Sequence, residues 1–165
     1  MSLSDASAGH RQSRDELPAA VVDWLRRGPG EVVAIMATTD ADGSPRTAAF
    51  GALRAVSSRH LRFSCRRTHS TYFNIIRDGR VMVALYGHPD IALGIRGQAR
   101  VIREQLADWP GNAVIGIDVT GVKNDQLAWA PIASGITYDV DTGVAQKLET
   151  LSAVLEAAEA GGTQF

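Results

Sequence analysis

The chain has 165 residues, a formal net charge of −1, 45% hydrophobic residues and 21% charged ones. These proportions suit one globular domain that buries roughly 70% of its unfolded surface, and they exclude collagen-like, low-complexity and mainly disordered chains. Apolar runs such as residues 81–86 fall far short of the ~20 residues that span a bilayer, residues 1–12 lack a signal-peptide core, and the single cysteine, Cys65, allows neither an intrachain disulfide nor a cysteine-based zinc cluster.

A cytoplasmic protein without a membrane partner is therefore expected. Fifteen of the 17 basic residues are arginines, four of them (Arg59, Arg62, Arg66, Arg67) within nine positions. A polyanion such as DNA calls for a basic surplus over the whole domain, whereas a small phosphorylated ligand needs only a local cluster. No nucleic-acid partner is expected.

Residues 1–14, rich in Ser, Ala and Asp, read as a tail, and residues 15–160 as one domain followed by a second short tail at 161–165. Residues 15–27 have helical spacing, with Leu17, Val21, Trp24 and Leu25 on one face, Pro18 in the first turn and Gly28-Pro29-Gly30 as the stop. Residues 32–39 form a β-branched strand, Asp40-Ala41-Asp42-Gly43-Ser44 a turn, and residues 46–56 the returning strand. Residues 60–65 alternate, Leu61, Phe63 and Cys65 against Arg62, Ser64 and Arg66. The period then becomes helical over 68–78, with Thr68 or Ser70 as cap and Asp78-Gly79 as the close.

Residues 80–86 make another strand, Gly87-His88-Pro89-Asp90 a turn, and 91–103 a long strand whose Arg96, Gln98 and Arg100 share one face. Gly94 and Gly97 mark bends or bulges in it. A sixth strand follows at 113–122 and a short seventh at 135–140. The final helix spans 142–160, and its Val144, Leu148, Leu151 and Leu155 form a seam for a second protomer or for the barrel. The fold class is mainly β with flanking helices: a six- to seven-stranded antiparallel split β-barrel.

No dinucleotide fingerprint, P-loop or metal-ligand spacing occurs, so no metal is expected and no catalytic residue can be singled out. Cys65, alternating with apolar neighbours, reads as a buried structural thiol. The informative stretch is residues 60–78: a strand, an arginine-rich corner, then Thr68-His69-Ser70-Thr71-Tyr72-Phe73-Asn74. Hydroxyl side chains and free backbone N–H groups at a helix N-terminus favour a phosphate dianion, with Arg66 and Arg67 as counter-charge. The segment Arg46-Thr47-Ala48-Ala49-Phe50-Gly51 precedes it by one strand, and the start of its strand is expected to reach the same end of the barrel.

This order of elements resembles the pyridoxamine 5′-phosphate oxidase-like, FMN-binding split-barrel family. The resemblance covers residues 17–140. It rests on the Asp40–Arg46 hairpin, on Leu61-Arg62-Phe63-Ser64-Cys65 leading into the helix, and on Arg77-Asp78-Gly79-Arg80-Val81 entering the next strand. It implies a homodimer with FMN in two interface clefts. Arg46 and the backbone of Thr47 and Ala48 would follow the ring edge or ribityl chain, and Ser64 and Cys65 would line the cofactor. Ser70 and Thr71 would take the phosphate where the oxidases proper use Arg-Lys, with Arg66 or Arg67 restoring charge and Asn74 orienting the loop.

The resemblance implies a flavin-dependent oxidoreductase, a flavin reductase or a relative, using a small-molecule substrate and NAD(P)H. The flavin carries the hydride, so the protein needs no dedicated acid–base pair. The arginine- and histidine-bearing C-terminal segment with which true oxidases grip pyridoxal phosphate is missing, so vitamin B6 oxidation is not expected. Two alternatives stand: the same fold with deazaflavin F420, its acidic tail on Arg62, Arg66, Arg67, Arg96 and Arg100, or a non-catalytic dimer that binds flavin or haem.

Overall fold

The computed structural model describes residues 14–27, 33–87, 90–136 and 138–157. The tails expected at 1–14 and 161–165 lie outside these residues except for Arg14, as do the Gly28-Pro29-Gly30 stop, His88 and Pro89 of the expected turn, and residues 158–160 of the last helix.

The elements are α1 (Ala19–Leu25), β1 (Ala34–Thr39), β2 (Pro45–Phe50), β3 (Arg54–Ser57), β4 (His60–Arg66), α2 (Ser70–Arg77), β5 (Arg80–Gly87), β6 (Ile91–Arg103), β7 (Asn112–Asn124) and α3 (Thr142–Ala157). The seven strands form one antiparallel sheet in the order β2-β1-β5-β6-β7-β4-β3. Two strands consecutive in the chain, β2 and β3, are thus its two edges. The sheet rolls so that the far strands meet: Phe50 of β2 packs edge to face on Phe63 of β4. This is a split barrel.

Its interior holds Met36, Leu61, Phe63, Val83, Leu85, Ile95, Ile115 and Ile117, all nearly sealed from solvent. The alternation predicted for β4 is observed, with Leu61, Phe63 and Cys65 inside. In β6, Arg96, Gln98 and Arg100 face outward. The ladder between β6 and β7 shifts register at Gly97, where a Cβ would overlap Ile117 Cγ2 and lie 3.0 Å from the Asp118 carbonyl oxygen. That close approach is why a glycine stands there. The same ladder shows no shift at Gly94.

Three expectations are corrected. The single strand over 46–56 is two, because β2 pairs with β1 and β3 with β4, and the chain must cross the split at residues 51–53. No strand forms among the described residues of 135–140. That stretch is mostly exposed, and with no face to bury, alternation has nothing to fix. Pro18 stands at the N-cap of α1 rather than in its first turn.

A second, smaller core lies outside the barrel, where Leu155, Leu151 and Val154 of α3 pack with Leu106, Val114, Ile102 and Trp109. The α3 seam therefore packs on the barrel through its C-terminal half, while Val144 stays exposed. Arg54, only 5% exposed, holds the arrangement together. Its guanidinium donates to the carbonyls of Leu25 and Arg27 at the end of α1 and, at 2.6 Å, to Ser152 Oγ of α3. Arg62 donates to the Leu155 carbonyl at 3.0 Å. Two arginines therefore satisfy helix-terminal carbonyls that would otherwise lack donors.

Candidate functional site

The β1–β2 turn is organised by Asp40. Its backbone N–H donates to the Ser44 carbonyl, and the Gly43 N–H returns to the Asp40 carbonyl, with Gly43 at φ +87°. The Asp40 carboxylate accepts from Arg46 Nε at 2.8 and 2.9 Å and from Asn74 Nδ2 at 2.7 Å. The Arg46 guanidinium, then Asn74, pull the Asp40 carboxyl down to about 2. Asn74, 3% exposed, also donates to Thr38 Oγ1 at 3.0 Å and accepts from both terminal nitrogens of Arg77. Arg77 in turn donates to the Thr39 carbonyl. The result is a polar clamp that fastens α2 to the β1–β2 hairpin.

The N-terminal end of α2 is built differently. His69, not Thr68 or Ser70, is the cap: its Nδ1 accepts the Thr71 N–H at 3.2 Å. The Tyr72 and Phe73 N–H groups both turn to the His69 carbonyl. The free amides expected from the sequence are thus partly occupied by an imidazole. The His69 ring sits 6.1 Å from that of Phe50. It is therefore the end of β2, not its start, that lies beside the beginning of α2, while Arg46 lies beside Asn74. The strand and the helix run past each other in opposite senses.

Around the β4–α2 corner, Arg66 is exposed and Arg67 half-buried. Arg67 Nε is 3.8 Å from Glu104 Oε2, an ionic contact too long for a hydrogen bond. The same carboxylate accepts from the Tyr72 hydroxyl at 2.8 Å, which raises the Tyr72 pKa. Two buried side-chain atoms at this corner have no hydrogen-bond partner, Arg67 Nε and Thr71 Oγ1. Ser70 is half-buried beside them. A guanidinium N–H that makes no hydrogen bond and only a 3.8 Å ionic contact with Glu104, and a hydroxyl without a hydrogen-bond partner, are donors that suit a phosphate, with Arg66 adding charge.

Ser64 and Cys65 point to opposite faces of β4. Ser64 Oγ is on the outer face and accepts from Asn112 Nδ2 at 2.9 Å. The Cys65 side chain is in the core, 1% exposed, and burial pushes its thiol up to about 11. Expected to line the cofactor, Cys65 can offer it only backbone. Thr47 and Ala48 lie on β2, an edge strand, so alternate backbone N–H and C=O groups there face away from β1 and remain open to hydrogen bonding.

The structure therefore brings Arg46 together with Asn74, and Arg66 and Arg67 with Ser70 and Thr71, along one strand–helix pair. Asp40 and Arg77 stood in the sequence only within the motifs that carry the resemblance, and neither their clamp nor the capping role of His69 was expected. Asp40 carried a further signal, as the acceptor that opens an Asp-rich turn. Among the described residues no histidine, cysteine or carboxylate cluster suits a metal, and no helix is long and apolar enough to cross a membrane.

Comparison with known proteins agrees with this fold. The family model for pyridoxamine 5′-phosphate oxidase matches residues 17–134. A candidate pyridoxamine 5′-phosphate oxidase from Lactobacillus delbrueckii superposes with a TM-score of 0.56 at 22% identity, over 66% of this chain and 94% of its own. HupZ from Group A Streptococcus gives 0.56 at 19% identity over 72% and 99%. A protein described as an F420 reductase gives 0.55 at 19% identity over 65% and 98%. No curated protein matches the chain.

Proposed function

The chain belongs to the pyridoxamine 5′-phosphate oxidase family, and from that premise we propose that it is an FMN-dependent oxidoreductase, working as a homodimer on a small molecule with NAD(P)H as electron donor. The observation that carries this reading is the pair of orphaned buried donors, Arg67 Nε and Thr71 Oγ1, four residues apart at the β4–α2 corner. A flavin phosphate seated there would engage both, with Ser70 Oγ and the Arg66 guanidinium completing the cradle. Rotation of His69 away from the helix end would release the Thr71 N–H to the same anion.

Bound flavin would supply the hydride chemistry itself. The protein's part is positional. The open edge of β2 at Thr47 and Ala48 would hydrogen-bond the ring's polar rim. Asp40 holds Arg46, and Asn74 keeps that hairpin fixed against α2, so the phosphate and ring ends of the site stay in register. Phe73, Ile76 and Tyr86, each about half exposed, supply apolar surface for the second protomer.

F420 is the second reading, favoured by the fold shared with an F420 reductase. Its acidic tail would need a continuous basic groove. Arg62 and Arg100 share one cleft and Arg96 lines another, and Arg62 is engaged with the end of α3, which supports FMN. The test is a visible spectrum of the purified protein and its change on adding NADH or NADPH. A band near ~450 nm that bleaches supports the proposal. A band near ~420 nm selects F420, and a colourless protein that binds neither cofactor on titration overturns both.

A further inference from the structure

A second constellation lies on the outer face of the sheet and shares no side chain with the β4–α2 corner. The β3–β4 hairpin is bulged: Ala55 pairs with Leu61 and Ser57 with His60, leaving Val56 unmatched. Bulges re-aim the side chains beside them. Here Ser57 Oγ lies 3.0 Å from His60 Nδ1, and His60 Nε2 lies 3.3 Å from Asp118 Oδ1. Asp118 faces His60 directly in the β4–β7 register, and its other oxygen is held by Arg100.

The proton positions follow from the partners. An ionised carboxylate only accepts, so a neutral His60 carries its proton on Nε2 and leaves Nδ1 as the acceptor. Ser57 Oγ already accepts the Arg59 N–H at 3.2 Å, which turns its own proton toward Nδ1. The relay opens on a cleft of about 280 Å³ that Arg62 and Arg100 also line, with Ile102 supplying apolar wall.

We propose that this cleft is a nucleophilic acyl-transfer site for small esters with an apolar acyl group, Ser57 acting as nucleophile, His60 as base and Asp118 as positioning residue. Ser57 Oγ bonds to the ester carbonyl carbon as its proton passes to His60 Nδ1. The carbon–alkoxy bond then breaks, and the departing alcohol takes that proton. Water attacks the acyl carbon, giving a proton to Nδ1. The Ser57–acyl bond breaks, Oγ recovers the proton and the acid leaves. Arg62, anchored through Nη1 by the Leu155 carbonyl, and Arg100, anchored by Asp118, line the cleft and bring fixed positive charge to the tetrahedral oxyanion.

The test uses p-nitrophenyl acetate and a fluorophosphonate on the intact protein. The expected result is a burst of nitrophenolate and a phosphonate adduct that mass spectrometry places on Ser57. Ser57→Ala abolishes both, His60→Gln slows them by about a hundredfold or more, and Asp118→Glu recovers part of what Asp118→Asn loses. Flavin titration of the same variants stays at the wild-type level, which separates this site from the flavin reading. Ser57→Cys, made in parallel, acquires a thioester at position 57. An adduct anywhere but Ser57, no adduct, or a folded Ser57→Ala protein that cleaves the ester at the wild-type rate overturns the proposal.

Discussion

Phe50 and Phe63 meet edge to face with ring centroids 4.7 Å apart, although their strands stand five places apart in the sheet order. The pair is where the rolled sheet touches itself. A double-mutant cycle with Phe50→Leu and Phe63→Leu should give a coupling of about 1 kcal/mol in chemical denaturation, the usual worth of such a pair beyond its burial. Additive losses would mean that β2 and β4 close up without this contact.

The Asp40 clamp has a pH signature. Its carboxyl is lowered from 3.8 to about 2 by Arg46 and Asn74, so its contribution is fully present above the unfolded value. It is lost as pH falls from about 4 toward 2. The stability gap between the wild type and Asp40→Asn should narrow over that window, followed by urea unfolding. Asp78, held down to about 2 by Arg80, keeps an acid limb in the variant too. Asn74→Ala, which strips the clamp of its buried amide, should cost roughly 2 kcal/mol near neutral pH.

Cys65 should be silent. Its thiol is in the core and pushed up to about 11, so at pH 8 a thiol reagent such as Ellman's should not react with the native protein. One equivalent should react in denaturant. Fast native labelling would mean the strand opens.

Arg54 ties three elements. Arg54→Met should cost roughly 2–3 kcal/mol, because the carbonyls of Leu25 and Arg27 and the Ser152 hydroxyl lose a charged donor together. Ser152→Ala should cost about 1 kcal/mol. Limited proteolysis should then cut within α3 sooner in both variants than in the wild type.

At the phosphate corner, Ser70→Ala and Thr71→Ala should each weaken FMN binding roughly ten- to a hundredfold, the cost of one charge-assisted hydrogen bond of ~1.5–3 kcal/mol. Flavin fluorescence quenching measures this. Unchanged affinity in both variants removes the phosphate from this corner.

Much of the barrel was legible because alternation is a local property. The period of two in β4 and β6 and the helical period from Ser70 can be read without knowing what they pack against. The division of residues 46–56 was not, because Gly51, Ala52 and Leu53 do not break the apolar run. What separates β2 from β3 is the choice of different partner strands, a non-local fact. The hydroxyl–arginine corner was visible as composition. The direction of β2 past α2 and the cap by His69 were not, since both depend on how the sheet curls. Cys65 shows what alternation can settle: it placed the side chain inside, where it is buried, so any part Cys65 has in lining a ligand falls to its backbone.

Ser152 is made 98 residues after Arg54. On the ribosome, therefore, a guanidinium destined for the interior waits through most of synthesis for its last acceptor. The Leu25 and Arg27 carbonyls precede Arg54 in the chain, so its buried guanidinium completes its set of acceptors only once α3 has been translated.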